Sequence, residues 1–223
     1  MNIQQNLITF IIINKKDFQI IVYNIEQMET FFTQKLIIPK KFKNNSINFF
    51  EDFFVKKIIS IEKEIKNYIE NLVLIINKDF FLEVNFSFLD QIKENSKIKD
   101  SLSEGLRQFE KYYYDYFLSH YHFNIQKKGN KKVENLEAEY LQMNFICIKK
   151  NFVTKIRSIL KPHQITLRKI FSYNFLETTK LENETIINAA INSILGLNSQ
   201  EVQIRKKNTQ KKGFFEIFFD YFK

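Results

Sequence analysis

The sequence predicts an α+β fold in which mixed and antiparallel sheets are layered against packing helices. Apolar residues recur at steps of three and four from Phe50 to Tyr68, which is typical of an amphipathic helix. They alternate with polar residues from Leu82 to Phe88, which is typical of a half-buried antiparallel strand. Segments of both kinds follow one another, and residues 80–149 read as a strand–helix–strand–strand module.

The first third of the chain predicts a strand pair, a long helix and another strand. Two runs rich in β-branched residues flank a short polar turn, which indicates paired strands. Residues 24–45 show no clear period and are expected to be irregular. The predicted elements are strands Leu7–Ile13 and Phe18–Tyr23, the helix Ile47–Glu70 with Ser46 as N-cap, and strand Leu72–Asn77.

The rest of the chain continues to alternate between helical and strand patterns. Gly196 follows the last helical period, in the position that favours a left-handed residue after a helix. The predicted elements are the helix Ile98–Phe117, strands Leu118–Gln126 and Tyr140–Lys149, the helix Asn151–Leu160, strand Ile165–Phe171, and the helix Ile186–Leu195.

The composition indicates a folded chain with a basic surface. Hydrophobic residues make up 44% of the 223 residues, enough for one sizeable domain with or without an appendage. Four scattered glycines cannot build a glycine-rich phosphate loop. The net charge of +9 fits a lysine-rich surface, and it also favours attraction to lipid or nucleic acid. We expect no signal peptide and no membrane-spanning helix.

Histidine and cysteine residues provide the candidates for chemistry. His120 and His122 lie two apart on a predicted strand, so both rings would share a face and could begin a metal site. Matching ligands are missing from the surrounding sequence, which favours two partly exposed strand histidines. Cys147 lies in an apolar alternating run and is expected to be buried and inert. We therefore predict no catalytic residue, metal, cofactor or small-molecule substrate.

An aromatic run, Tyr112–Phe117, falls within a predicted helix. Such a run could stack on bases, but on a helix it covers all sides, so packing in the core is favoured. Nucleic-acid binding is kept as the alternative function. It would use the lysine clusters Lys127-Lys128, Lys131-Lys132 and Arg205–Lys212.

The last nineteen residues combine two basic clusters with an aromatic segment. As a helix, this segment places Glu216, Asp220 and Lys223 in one polar stripe, and apolar side chains cover the rest. It is too short to span a bilayer, which takes about 20 apolar residues. The predicted membrane-binding residues are Phe214, Phe215, Ile217, Phe218, Phe219 and Phe222. The predicted contacts to anionic lipid are Arg205, Lys206, Lys207, Lys211 and Lys212.

Two stretches at the tail carry a resemblance to a known family. They are Gly196-Leu197-Asn198-Ser199-Gln200-Glu201-Val202 and, after lysine-rich residues, Lys212-Gly213-Phe214-Phe215-Glu216-Ile217-Phe218-Phe219. They resemble the C-terminus of the bacterial cell-division protein FtsA, in which a flexible linker carries a short amphipathic membrane-targeting helix. The module Phe80–Lys149 is similar to the small inserted domain of that family, and Asn151–Tyr173 is similar to the helix and strand that follow it.

The departures from this family limit what the resemblance implies. FtsA is an actin-like ATPase whose phosphate-binding turn holds a glycine, whereas the corresponding Ile13–Phe18 turn has none. The stretch between Phe175 and Leu195 has no room for the family's second large domain, where FtsZ would be contacted. The resemblance therefore implies a shortened, degenerate relative in which nucleotide hydrolysis is not carried over.

The leading hypothesis is a non-enzymatic FtsA-like protein on the cytoplasmic face of the inner membrane. Its partners would be anionic lipid and other division proteins or copies of itself. The predicted segments are a degenerate actin-like half over 1–79, an inserted interaction domain over 80–178, a short helix and linker over 179–204, and a basic linker with the membrane-targeting helix over 205–223.

Overall fold

The computed structural model describes residues 7–14, 17–39, 46–88, 95–127, 138–197 and 202–206. Within these ranges the chain forms nine strands and five α-helices. The strands are β1 Leu7–Ile13, β2 Asp17–Asn24, β3 Glu29–Ile37, β4 Asn71–Ile76, β5 Phe81–Phe88, β6 Tyr116–Lys127, β7 Ala138–Lys149, β8 Thr166–Ser172 and β9 Val202–Lys206. The helices are α1 Ser46–Ile65, α2 Asn95–Tyr112, α3 Lys150–Leu160, α4 Tyr173–Thr179 and α5 Ile186–Ile194.

The first sheet is mixed and has the strand order β3-β2-β1-β4-β8. Strand β2 pairs antiparallel with both β1 and β3. Strand β4 pairs parallel with both β1 and β8. The predicted strand pair is therefore extended by strands on either side, and the predicted α+β class with layered mixed sheets is confirmed.

Helices cover both faces of this sheet. Successive side chains of its central strands point to opposite faces, and each face packs into its own apolar cluster. On β1, Ile11 and Ile13 belong to one cluster, which includes buried residues of α1 and α3. Phe10 and Ile12 belong to the other, which includes buried residues of α4 and α5. A central strand buried on both faces is nearly all apolar, as seen in Leu7–Ile13.

Helix α1 confirms the predicted helical period but ends earlier than expected. Its buried face includes Phe50, Phe54 and Ile58. The prediction that it runs to Glu70 is wrong, because it ends at Ile65 and Lys66 adopts a φ of 53°. Tyr68, which continues the apolar period, is 71% exposed.

The second sheet has the strand order β5-β7-β6-β9. Strands β5, β6 and β7 with helix α2 form the predicted strand–helix–strand–strand module. Gly105 lies on α2, where a Cβ atom would stand 2.6 Å from the terminal carbon of Met143 on β7. The missing side chain therefore permits the close approach of this helix to the sheet.

Chain contacts divide the protein into two units, which differ from the predicted consecutive segments. The first consists of Met1–Glu83, Asp115–His120 and Ile146–Ser199. The second consists of Val84–Tyr114, Tyr121–Phe145 and Gln200–Lys223. Residues 146–178, which the sequence suggested as part of an inserted domain, thus belong to the first unit.

Three elements depart from the sequence-based expectation. The stretch 24–45 was expected to be irregular, but it contains the nine-residue strand β3. Helix α4 was not predicted; it buries Phe175, Leu176 and Thr179. The predicted helix through Phe117 ends at Tyr112, since β6 begins at Tyr116.

Candidate functional site

The carboxyl ends of the three parallel strands of the first sheet lie together and define the candidate site. Ile13 of β1 is paired with Ile76 of β4, which is paired with Ser172 of β8. Ligands of open α/β sheets generally bind outside this edge. The resemblance to an actin-like ATPase would place the phosphate-binding turn here, directly after β1.

The Asp17 carboxylate contacts one residue of the β1–β2 turn and one residue of β3. The backbone N–H of Asn14 donates to the backbone carbonyl oxygen of Asp17 at 2.9 Å. The Asn14 Nδ2 donates to Asp17 Oδ1 at 2.8 Å, and Lys35 Nζ lies 3.1 Å from Oδ2. The hydrogen bond from Asn14 and the nearby Lys35 ammonium hold the pKa of Asp17 below its usual value, although burial opposes them. Oδ1 therefore helps to close the β1–β2 turn, and Oδ2 links β2 to β3.

The turn after β4 is also held by its own polar groups. The Asn77 side chain accepts a hydrogen bond from the Asp79 amide at 3.4 Å, and its carbonyl oxygen accepts from the Phe80 amide at 3.3 Å. Asn77 thereby caps the short 3-10 helix Lys78–Phe80. Among the described residues of this edge, Asn14, Asp17 and Asn77 hold turns in place.

Replacing Asp17 tests its place in the turn. We expect Asp17→Asn to lower the free energy of unfolding at pH 7 by about 1 kcal/mol, because a charge-assisted hydrogen bond and an ion pair are lost. Since the folded pKa is lowered, this stability is present above pH 3.8 and disappears as the pH falls through the folded pKa. Urea unfolding from pH 7 to pH 2 measures the difference.

The control for this experiment is Asp100→Asn, which changes an exposed carboxylate on α2. The Asp100→Asn variant is expected to leave the free energy of unfolding almost unchanged at every pH. An Asp17→Asn deficit that stayed constant down to pH 2 would contradict the assigned role of the carboxylate.

His120 is buried, which corrects the expectation of a partly exposed strand histidine. Its side chain is 6% exposed, and its ring centroid lies 3.9 Å from that of Phe175. The Ser119 hydroxyl donates to the Ile170 carbonyl oxygen and lies 2.8 Å from His120 Nδ1. Because the Ser119 hydroxyl proton is already donated to Ile170, His120 Nδ1 donates its own proton to the Ser119 oxygen. The residue therefore belongs to the core of the first unit.

His122 lies in the second unit and is half-buried. Its Nε2 lies 2.7 Å from Nδ2 of Asn144. Across the described ranges, no three His, Cys, Asp or Glu side chains come together as metal ligands would. In the first unit, the Cys147 side chain is fully buried as expected, and burial raises the pKa of its thiol to about 12.

The aromatic run Tyr112–Phe117 does not form the packed helix that was predicted. Tyr112 and Tyr114 are 62% and 74% exposed. The preference for core packing is thus wrong for these two residues. Helix α2 ends at Tyr112, so the side chains of the run are not distributed around one helical axis.

Most of the predicted tail site lies outside the described residues. Lys207, Lys211, Lys212 and all six apolar positions from Phe214 to Phe222 belong to this group. The other two predicted lipid contacts, Arg205 and Lys206, lie in β9. They are paired with Gln126 and Lys127 of the parallel strand β6. The prediction that a basic linker begins at Arg205 is therefore corrected, because the strand continues to Lys206.

Lys127 of the alternative nucleic-acid site ends β6, and Lys128, Lys131 and Lys132 lie outside the described residues.

Sequence reasoning missed two surface features of the first unit. A depression of about 380 Å³ lies at the end of α1, lined by Ile59, Glu62, Lys63, Lys66, Asn67 and Tyr68. Strand β3 carries Phe31 and Ile37, which are 53% and 82% exposed. The available sequence signal for this strand was its β-branched and aromatic residues, Thr30, Phe31, Phe32, Thr33 and Ile37. The helices in the described part of the chain include none that combines the length and apolar character needed to cross a bilayer.

Comparison with known proteins gives partial structural likenesses. No protein-family model matches the chain, and no curated protein sequence matches it. The cytoplasmic domain of EpsL, an inner-membrane component of the type II secretion system of Vibrio cholerae, is similar over 76% of this chain and 58% of its own length, with 9% identity and a TM-score of 0.38. A PilM–PilN type IV pilus biogenesis complex is similar over 74% and 47%, with 7% identity and a TM-score of 0.43.

A third likeness is to a Bacteroides thetaiotaomicron protein described as having an actin-like ATPase fold and unknown function. It covers 82% of this chain and 61% of that protein, with 11% identity and a TM-score of 0.38. The chain thus spans less than two thirds of each of these three proteins. Because all three TM-scores are below 0.5, the likenesses assign neither a family nor a function.

Proposed function

We propose that the chain is a non-catalytic, FtsA-like cell-division protein that tethers division partners to the cytoplasmic face of the inner membrane. The tether is the C-terminal segment, and the folded units provide protein contacts. The observation that carries the proposal is the basic and aromatic sequence that follows β9. This strand ends at Lys206, and after residues 207–210 the chain continues with Lys211, Lys212 and the aromatic segment Phe214–Phe222.

The attachment of β9 to a sheet supports a tether at this position. Val202–Lys206 pairs with Phe123–Lys127 of β6 over its whole length. The residues that follow are therefore joined to a strand of the second unit and not to a free linker. A membrane segment joined in this way would transmit its attachment to the fold through the β6–β9 pairing.

The energetics favour reversible attachment. Partial immersion of five phenylalanines contributes about 5 kcal/mol, and each Lys or Arg near an anionic leaflet adds at best about 1 kcal/mol. Ordering the segment costs about 1 kcal/mol per residue. The gain and the ordering cost are of similar size, so a single segment is a weak anchor that gains strength when several copies act together.

Two features of the first unit support the non-catalytic, actin-like part of the proposal. In the first sheet, the antiparallel strands β1, β2 and β3 are followed in the chain by β4 and β8, which run parallel to β1, and helices cover both faces. This arrangement agrees with a degenerate actin-like half. In the turn where that family binds phosphate, Asn14 and Asp17 bond to each other. Measurable ATP hydrolysis by the full chain would contradict the non-catalytic assignment.

Co-sedimentation with vesicles tests the tether. We expect the full chain to bind vesicles rich in anionic lipid and to lose that binding when residues 213–223 are deleted. The deletion starts after Lys212, so it leaves β9 and both basic clusters in place. Replacing Phe215 and Phe218 by Ser should weaken binding about tenfold or more, since each buried phenylalanine contributes roughly 1.5–3 kcal/mol when fully immersed.

The matched control replaces two exposed aromatic residues of the folded part, Tyr112 and Tyr114, by Ser. These variants should bind vesicles like the natural chain. Unchanged vesicle binding after the deletion would overturn the tether. A salt-dependent DNA shift that survives the deletion would instead favour nucleic-acid binding.

A further inference from the structure

Helix α3 and the strand that follows it carry positive charge without any acid in the same stretch of sequence. Residues 140–176 contain seven lysines and arginines and no aspartate or glutamate. Five of these cations lie between Lys149 and Lys161, within α3 or next to its ends. By contrast, α1 carries three lysines and four acids, although it packs on the same face of the first sheet. The two helices therefore present very different charges to solvent.

Three of these cations form one line along the exposed side of α3. Lys150, Arg157 and Lys161 are exposed, and they follow one another at steps of seven and four residues. This spacing places them on one side of a helix, together with the exposed Thr154. The opposite side holds the buried residues Val153, Ile156, Ile159 and Leu160. We call Lys150, Arg157 and Lys161 the α3 stripe; at the usual helical rise it is about 17 Å long.

The helix dipole does not account for the lysines at the start of α3. The N-terminus of a helix is its positive end, where acids stabilise it and cations destabilise it. Lys149 is the N-cap residue of α3 and Lys150 is its first residue. The first turn holds no acid, and the N-cap makes no side-chain hydrogen bond. Positive charge at this end therefore lowers the stability of the helix.

Contacts made by the side chains of α3 leave much of its charge in place. Lys155 Nζ donates to Asn48 Oδ1 at 3.2 Å, and the Arg157 guanidinium lies 6.0 Å from the centre of the Phe117 ring. Both partners are neutral, so neither contact cancels the charge. Asp115 lies near the start of the stripe, where its backbone carbonyl oxygen accepts from the Lys150 N–H at 2.9 Å. The stripe therefore remains a basic surface with the half-exposed ring of Phe117 beside it.

We propose that the α3 stripe is a contact site for the phosphate headgroups of an anionic lipid leaflet. This inference deepens the proposed function and rests on it for the choice of lipid as the anionic partner. A leaflet is a flat array of phosphates, and the convex surface of a helix meets a flat array along one line. Single-stranded nucleic acid, by contrast, is generally held in a basic groove. An exposed aromatic ring beside a cation also suits the level of the headgroups, where both kinds of side chain gather.

The stripe strengthens an existing attachment and does not replace the C-terminal segment. One cation near an anionic leaflet strengthens binding at most about fivefold. Three cations are too few to hold the chain alone against the loss of translational and rotational freedom on binding. Once the C-terminal segment is bound, however, a second contact is intramolecular and avoids most of that loss.

Co-sedimentation of the full chain with vesicles of phosphatidylglycerol and phosphatidylcholine tests the stripe. At low salt, K150Q/R157Q/K161Q is expected to bind at least about tenfold more weakly than the natural chain. The variant K150R/R157K/K161R keeps the three charges and should bind within about twofold of the natural chain. In about 1 M salt, where the Debye length is about 3 Å, the difference between the glutamine variant and the natural chain should disappear.

The matched control is K57Q/K63Q/K66Q, which removes three exposed cations from α1 and the turn after it. It should bind within about twofold of the natural chain, and thermal unfolding checks that all variants fold alike. Equal weakening by the control, or unchanged vesicle binding by the stripe variant, would overturn the stripe. So would a stripe variant that loses binding to duplex DNA but not to vesicles.

The deletion of residues 213–223 keeps this inference separate from the proposed function. Unchanged vesicle binding after the deletion overturns the tether, whatever the stripe variant does. If the deletion abolishes binding and the stripe variant binds like the natural chain, the tether stands and the stripe is wrong.

Discussion

Cys147 is expected to react with iodoacetamide at pH 8 about a thousandfold more slowly in the folded chain than in the urea-unfolded chain. The thiolate is the reactive form, and burial raises the pKa of this thiol to about 12 from the ordinary value of 9.0. At pH 8 the thiolate fraction therefore falls by about three powers of ten. The side chain is also fully buried, so the reagent has no direct approach. Mass spectrometry of timed samples measures the rate.

A second thiol in the same molecule controls for the reagent. Val55 is 67% exposed on the outer side of α1, and Val55→Cys introduces an accessible thiol without changing the core. Two sites with very different rates are expected in this variant. Equal rates at positions 55 and 147 would show that Cys147 is accessible in the native state.

Phe54→Ala is expected to lower the free energy of unfolding by about 3–5 kcal/mol. Phe54 is completely buried in the first unit, and its ring centroid lies 4.6 Å from Phe50 and 5.8 Å from Phe53. Its removal leaves a cavity lined by rigid rings, which collapse less readily than flexible side chains. Urea unfolding followed by circular dichroism measures the loss.

The neighbouring residue supplies the control for the core variant. Val55→Ala changes a largely exposed side chain on the same helix and should alter stability by less than about 0.5 kcal/mol. Because both positions lie in one turn of α1, helix propensity contributes similarly to each. Losses of equal size would indicate that the aromatic cluster does not stabilise the first unit.

Local periodicity accounts for the parts of the fold that were predicted correctly. Helix α1 and strand β5 carry their periods within a single segment, so their type is visible without knowledge of the partners. The end of α1 was misplaced because Tyr68 continues the apolar period. The chain has already turned at Lys66, and the Tyr68 side chain remains exposed.

Elements that depend on distant partners were missed. Strand β3 has the moderate hydrophobicity of an edge strand, and it becomes recognisable mainly through its pairing with β2. Strand β9 is basic and resembles a linker until its pairing with β6 is known. Helix α4 is short, and three of its residues pack in the core. Tertiary contacts outweigh the weak local propensity of such segments.

The candidate site was predicted in part for the same reason. Residues of the Ile13–Phe18 turn were identified from the sequence, because two apolar runs flank them. The contact between Asp17 and Lys35 was not, since it depends on the pairing of β2 with a strand that was not predicted. The burial of His120 likewise requires Phe175, which lies on the unpredicted helix α4.

The parallel pairing of β6 with β9 also has a consequence for the order of events during synthesis. Strands β7 and β8 and helices α3, α4 and α5 all leave the ribosome between these two partners. The β6–β9 hydrogen bonds therefore cannot form until the other described elements have been made. Until then the nascent second sheet presents β6 as an unpaired edge, and such an edge is prone to aggregate before folding is complete.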